Sequence, residues 1–153
     1  KKIRDFLLES FDETYAPLFG SKAAQKHKDT LLTESELKAR IEKRDGEFLI
    51  ADNGKRFGGV GYAVMSDKMA KTAVIDLLYV AKGDQRQGIG KDIFAELETC
   101  FPDAEIMRVQ IAVDNLVAND FFRSVGFTDV DLLDTVPDKG DMSGVALEKR
   151  IGN

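Results

Sequence analysis

Two glycines, Gly88 and Gly90, stand between Arg86 and Lys91 directly after the apolar run Val74 to Val80 in the stretch VIDLLYVAKGDQRQGIG. Residue types at this spacing suit the binding of an anion such as phosphate. Neither glycine carries a Cβ, so the backbone N–H groups from Arg86 to Lys91 can come close to an anion at the positive end of a helix. Arg86 and Lys91 add formal charge to the same place. Other chemistry is poorly supplied: Cys100 and His27 are the only cysteine and histidine. They lie at unrelated positions, so neither a Cys–His nucleophile pair nor a metal site is expected. Cys100 reads as packing and His27 as a solvated residue of the polar run Ser21 to Thr30.

The elements that would hold such a cradle are legible on both sides of it. Val74 to Val80 is short and rich in β-branched residues and Leu, a buried strand bounded by the turn signal Lys82-Gly83-Asp84. From Gly88 the period changes: Ile89, Ile93, Leu97 and Phe101, with Phe94 beside them, describe an amphipathic helix that Pro102 closes. Met107 to Val113 is a further strand with Met107, Val109, Ile111 and Val113 on one face. A helix follows, N-capped by Asp114 or Asn115, with Val117, Phe121, Phe122 and Val125 as its apolar stripe and Gly126 as the left-handed residue that ends it.

Upstream, Ile3, Phe6, Leu7 and Phe11 recur at helical spacing before Tyr15 to Gly20 breaks the pattern. Thr33-Glu34-Ser35-Glu36 is a capping box, and Leu37 and Ile41 supply the buried face of a second helix. Phe48 to Ala51 and Phe57 to Met65 are strands joined at Asp52-Asn53-Gly54, a hairpin signal, and Ser66-Asp67-Lys68 turns the chain into the Val74 strand. Two more strands fall near Val130 to Leu133 and Val145 to Lys149. The order predicts one α/β (α+β) domain over residues 1–153: a mixed, mostly antiparallel sheet with one parallel crossover, from Val74 to Met107, and helices on both faces.

Three kinds of phosphate loop resemble the glycine stretch, and the intervening residues separate them. A P-loop requires Ser or Thr after Gly-Lys, and Asp92 stands there. The dinucleotide fingerprint begins at Gly88 and Gly90 but has Ile93 in place of its third glycine, although Asp114 is a possible ribose ligand. That nucleotide-binding reading remains an alternative. Gln85-Arg86-Gln87-Gly88-Ile89-Gly90 fits Gln/Arg-x-x-Gly-x-Gly/Ala, which resembles the pyrophosphate loop of the GNAT superfamily of acyl-CoA N-acyltransferases. Asn115, Ala118, Gly126 and Phe127 also match that superfamily's Asn-x-x-Ala-x-x-x-Tyr-x-x-x-Gly-Phe in register, with Phe122 at the tyrosine. The two motifs cover roughly the second half of the chain.

The resemblance implies an acetyltransferase that moves acetyl from acetyl-CoA to a primary amine by direct attack. Backbone groups around Leu78, Tyr79 and Val80 would pair with pantetheine, Gln85, Arg86, Gln87, Gly88, Ile89, Gly90 and Lys91 would hold the pyrophosphate, and Asn115, Asn119 and Phe122 would line the pantetheine arm. Asp76, where many members carry a carboxylate, would be the base; its alternative role is to face solvent or cap a neighbour. Phenylalanine cannot protonate the departing thiolate, so water, Tyr79 or Asn119 would substitute. Glu9 to Tyr15 is similar to a segment of the polyamine-acetylating branch, which makes Glu9, Asp12, Glu13 and Tyr15 candidates for the acceptor. The family usually begins with a strand that this chain lacks, so a truncated native N-terminus is expected. Homodimers are frequent in the family. A non-catalytic acyl-CoA sensor is the alternative from another class.

Composition is compatible with this. Across 153 residues the net charge is −5, which argues against nucleic-acid binding and suits a cationic small molecule or peptide amine. No apolar run approaches the ~20 residues of a membrane span and no signal-peptide pattern is present, so a soluble, cytoplasmic protein without a metal is expected.

Overall fold

The computed structural model describes residues 4–9, 33–42, 45–52, 57–80, 88–133 and 143–151. Its elements in chain order are a helix over 4–9 (α1), then α2 (Glu34–Glu42), β1 (Gly46–Asp52), β2 (Phe57–Met65), β3 (Thr72–Val80), α3 (Ile89–Thr99), β4 (Ile106–Ala112), α4 (Leu116–Ser124), β5 (Thr128–Leu133) and β6 (Gly144–Arg150). The strands form one sheet in the order β1-β2-β3-β4-β6-β5. Only β3 and β4 are parallel among the described pairs. This is the mixed architecture expected from the order of hydrophobic patterns.

Local chemistry accounts for the boundaries. Thr33 caps α2, its Oγ1 accepting from the Glu36 N–H at 3.2 Å, one of the orphan donors of a helix start. Leu37 is buried below it, but Ile41 is 53 % exposed: the inner face of α2 runs through Leu37 and Arg40, three residues apart, and turns Ile41 outward. Ser66 Oγ accepts from the N–H groups of Lys68 and Met69 and closes the turn into β3. Asn115 is the N-cap of α4, its side chain accepting from Ala118 N, and Gly126 ends that helix region at φ 104. Val117 was expected in the α4 stripe and is 71 % exposed, as Val113 is 46 % exposed. The buried positions of α4 are Asn119 and Phe122, so the stripe starts one turn later than the hydrophobic letters suggest. The Asp52-Asn53-Gly54 turn and the Lys82-Gly83-Asp84 turn involve residues outside those described.

Apolar clusters on the two sides of the sheet consolidate it. One joins Ile93, Phe94 and Leu97 of α3 and Phe122 of α4 to Ala73, Ile75, Met107, Val109, Ile111, Val145 and Leu147. The other joins Leu7 and Leu37 to Val60, Tyr62, Leu77 and Tyr79. Residues Ile75 and Leu77 are two apart on β3 and would share a face in a regular strand. They enter different clusters because the β2–β3 register jumps: Tyr62 pairs with Leu77 and Ala63 with Ile75. Asp76 is the extra residue of a β-bulge, and the bulge exchanges the faces of β3 at that point.

α3 lies directly on the β2 backbone. A Cβ at Gly61 would sit 2.5 Å from Ile93 Cγ2 and 3.3 Å from Leu97 Cδ1, so a glycine is what allows the close approach. Gly61→Val is expected to lower stability by about 1–3 kcal/mol, the usual cost of overpacking, measured as a drop in denaturant midpoint. A change under about 0.5 kcal/mol, typical of tolerant surface sites, would show that α3 has room to lift off the sheet.

Candidate active site

The parallel pair β3–β4 is short. Its register runs from Thr72↔Ile106 to Ile75↔Val109 and ends there, although β3 continues to Val80 and β4 to Ala112. Beyond Ile75 the remaining β3 residues pair with β2 and the β4 residues with β6. The two strands therefore part in mid-sheet, and each turns toward the other an edge that its neighbour does not use. Asp76 is the first residue past the parting.

At the far end of this opening stands the start of α3. Gly88 is its N-cap with φ 83, a left-handed conformation that side chains disfavour. Among the described residues, a Cβ built there would meet nothing within 4 Å. The N–H groups of the first turn of α3 have no partners within the helix. Gly90 is buried: a Cβ there would lie 3.1 Å from the Phe121 ring and 3.5 Å from Val80 Cγ2. The end of β3, the start of α3 and the middle of α4 are therefore gathered at one point. Ile89 is half-buried on β2 and Lys91 is exposed. Gln85, Arg86 and Gln87 lie outside the described residues.

The second wall is built by the turn from β4 into α4. Asn119, 4 % exposed, donates through Nδ2 to Ala112 O at 3.2 Å and Asn115 O at 2.8 Å. Both of its N–H donors are consumed in fixing this turn, so neither is left to protonate a departing thiolate. Asn115 receives that bond while its own side chain caps α4. Phe122 was expected on the cofactor arm, but it is 4 % exposed and packs edge-on to Phe121 and Phe127, each with ring centroids 5.2 Å away. In this structure it is a core residue. Tyr79 is likewise buried with Leu7, Leu37 and Tyr62, on the face opposite the α3 and α4 cluster.

Asp76 is not a solitary carboxylate. Its Oδ2 accepts from Arg40 Nε at 2.9 Å, with side chains 31 % and 14 % exposed respectively. Beside the pair is Tyr62, whose phenol is pushed up by burial first and then by the Asp76 carboxylate, with Arg40 opposing. A Tyr with a raised pKa stays a neutral phenol at physiological pH. Sequence reading missed both Arg40 and Tyr62. The i, i+3 spacing of Leu37 and Arg40 was the available signal, hidden by the presumption that Ile41 faced inward. Glu9 is exposed on α1, and Asp12, Glu13 and Tyr15 lie outside the described residues.

Cys100 fits the packing role expected of it. Its Sγ donates to Glu96 O at 3.2 Å, and burial, followed by Glu47 and Glu96, pushes its thiol up, so it stays protonated and a poor nucleophile. No group of three or more potential metal ligands occurs among the described residues, and no described helix is long and apolar enough to cross a membrane.

Comparison with known proteins gives this geometry a family. The acetyltransferase (GNAT) domain model matches residues 15–136, and the chain belongs to that family. It is an acyl-CoA-dependent N-acetyltransferase. Its fold is similar to the PaiA N-acetyltransferase of Thermoplasma acidophilum in complex with coenzyme A, with TM-score 0.81 at 20 % identity over 97 % of this chain and 91 % of that one. It is also similar to an acetyltransferase of Thermus thermophilus, with TM-score 0.74, 15 % identity and coverage of 98 % and 92 %. A third similar structure is a GNAT-family acetyltransferase of Staphylococcus aureus, with TM-score 0.72, 12 % identity and coverage of 99 % and 95 %. No curated protein sequence matches the chain.

The open left-handed cap predicts the behaviour of one variant. Gly88→Val places a branched side chain over the first turn of α3 and strains the backbone. Coenzyme A affinity is expected to fall by about tenfold or more, equivalent to ~1.4 kcal/mol, in a protein whose circular dichroism is unchanged. Calorimetric titration measures it, and an unaltered Kd in the folded variant would remove the pyrophosphate from this position.

Proposed function

We propose that the protein acetylates a primary amine, carried by a small amine, a polyamine or a peptide, by direct attack on acetyl-CoA in a ternary complex. The observation that carries this reading is the parting of β3 and β4 past Ile75 and Val109, with the α3 start at one end and Asp76 at its apex. Acetyl-CoA would enter this opening. The diphosphate would lie over Gly88, Ile89, Gly90 and Lys91, with Gln85 to Gln87 leading into them. The pantetheine amides would pair with the β3 edge around Leu78 and Val80 as a short extra strand, and Asn115 would bound the arm on the β4 side.

This arrangement delivers the thioester carbonyl near Asp76. The amine nitrogen attacks that carbonyl, a C–N bond forms and the C–S bond breaks. The nitrogen sheds a proton and the thiolate gains one, so coenzyme A leaves as the thiol. Once the C–N bond forms, the nitrogen bears positive charge and its proton becomes acidic, so even a carboxylate engaged by Arg40 can accept it. Oδ2 of Asp76 is taken by Arg40, and the described residues give Oδ1 no hydrogen-bond donor, which makes Oδ1 the oxygen that meets the nucleophile, directly or through water. Thiolate protonation falls to water, since Phe122 has no proton to give and Asn119 is committed to the backbone. A thiol of pKa ~8.5 is a tolerable leaving group under those conditions.

The acidic residue Glu9, with Asp12 and Glu13 and the neighbouring Tyr15, would line the approach of a cationic acceptor. Asp76→Asn keeps the shape of the side chain and removes the proton acceptor. Turnover with a good amine acceptor is expected to fall by about 10²–10⁴, with coenzyme A affinity nearly unchanged. Wild-type turnover in the variant, assayed by thiol release near neutral pH, would place the base elsewhere.

A further inference from the structure

At the apex of the opening, among the described residues, the carboxylate of Asp76 is paired with a guanidinium. Asp76 and Arg40 meet at 2.9 Å, and the third group, the Tyr62 phenol, is held neutral. Among the described residues of the elements around Asp76, the other titratable groups are Glu36, Lys38 and Glu42 on α2, all exposed, Arg4, Asp5 and Glu9 on α1, and Tyr79, buried on β3 itself. On β4, Arg108 stands beside Val74 and is neutralised in turn by Glu148 at 2.7 Å. An isolated carboxylate at the apex would stabilise the acceptor as ammonium, the form that cannot attack. A lysine-like amine with pKa ~10.4 is already almost entirely ammonium at pH 7.

We infer that Arg40 is a specificity-determining residue of the acceptor site: by offsetting the Asp76 carboxylate it raises the share of the bound amine that is neutral and nucleophilic. This rests on the N-acetyltransferase reading above. A fixed cation close to the bound nitrogen disfavours its charged form, and ~4–6 Å is near enough for one charge to move another group's titration by a unit or more. That neutral share has lost its first proton to solvent before the C–N bond forms, and the second proton passes to Asp76 as the bond is made. Arg40 touches neither the thioester nor the leaving group in this account.

The sign of each effect distinguishes this from a packing role. In Arg40→Gln the unbalanced carboxylate favours the ammonium, so KM for a cationic amine falls, by about fivefold or more, while the acid limb of the kcat profile moves up by about one pH unit. At pH 7 tighter binding therefore accompanies slower turnover. Arg40→Lys preserves the charge and is expected to retain most of the wild-type profile. Loss of packing alone raises KM, leaves the acid limb in place and is not restored by lysine.

A binding measurement reads the same property without turnover. Protein saturated with coenzyme A is titrated with n-butylamine and with 1,4-diaminobutane at about pH 9.5, close to the amine pKa of ~10.4, in buffers of different ionisation enthalpy, which reports the protons released. Wild type is expected to release clearly more proton per amine bound than Arg40→Gln. Equal proton release in the two proteins, or a raised KM with an unmoved acid limb in Arg40→Gln, overturns the inference while the acetylation by wild type upholds the reading beneath it. If the wild-type protein acetylates neither amine nor any of a wider panel, the proposed function falls and takes this inference with it.

Discussion

The constraint on which the rest of the molecule depends is the early end of the β3–β4 ladder. Four residue pairs hold the parallel strands together, Thr72 to Ile75 against Ile106 to Val109, and then each strand keeps only its other neighbour. A gap in the middle of a sheet is tolerable where other groups, water or a ligand satisfy the backbone donors and acceptors along it. The bulge at Asp76 coincides with this parting. It moves the β3 side chains from one cluster to the other between Ile75 and Leu77, so that one residue, carrying a carboxylate, is placed at the apex with Arg40 opposite.

Everything around the gap serves to keep its two walls in place. The glycines of β2 let α3 sit against the strand backbone, which fixes where the helix begins and hence where the open cap of Gly88 points. Asn119 ties α4 back to the last residue of β4 and to its own N-cap. The ring of Phe121 reaches Gly90 and joins the two helices across the opening. These contacts are short-range and mostly apolar or backbone-directed, and the chemistry is left to the edges between them. Walls held in this way suit a co-substrate that must present its carbonyl at one fixed point.

The order of elements was legible because its signals are local. Period-two and period-four apolar runs, the capping box at Thr33 and the glycine at 126 each report on a few neighbouring residues, and the strands and helices fell where these signals put them to within a few positions. The helix start at Gly88 and the Asn115 cap were legible for the same reason. Arg40 meeting Asp76 was not, since a contact across 36 residues depends on which way α2 is rotated, and a one-residue difference between Arg40 and Ile41 decides it. The bulge was hidden too, because VIDLLYV reads as an uninterrupted strand and only the pairing with β2 shows that Asp76 has no residue opposite it there. Phe122 and Asn119 were assigned to the cofactor by family position, whereas the packing of α4 places the ring in the core and spends the amide on the turn.

The central claim is that acetyl-CoA completes the sheet by entering between β3 and β4 with its diphosphate over the start of α3. Amide hydrogen exchange with and without saturating coenzyme A tests it most directly, because protection is read residue by residue along the backbone. The account predicts slowed exchange confined to the β3 segment from Asp76 to Val80, to Ile89 through Lys91, and to the Asn115 turn, with β1, β5 and α2 unaffected. Bound coenzyme A that leaves the β3 segment and the first turn of α3 exchanging at the free rate would contradict it.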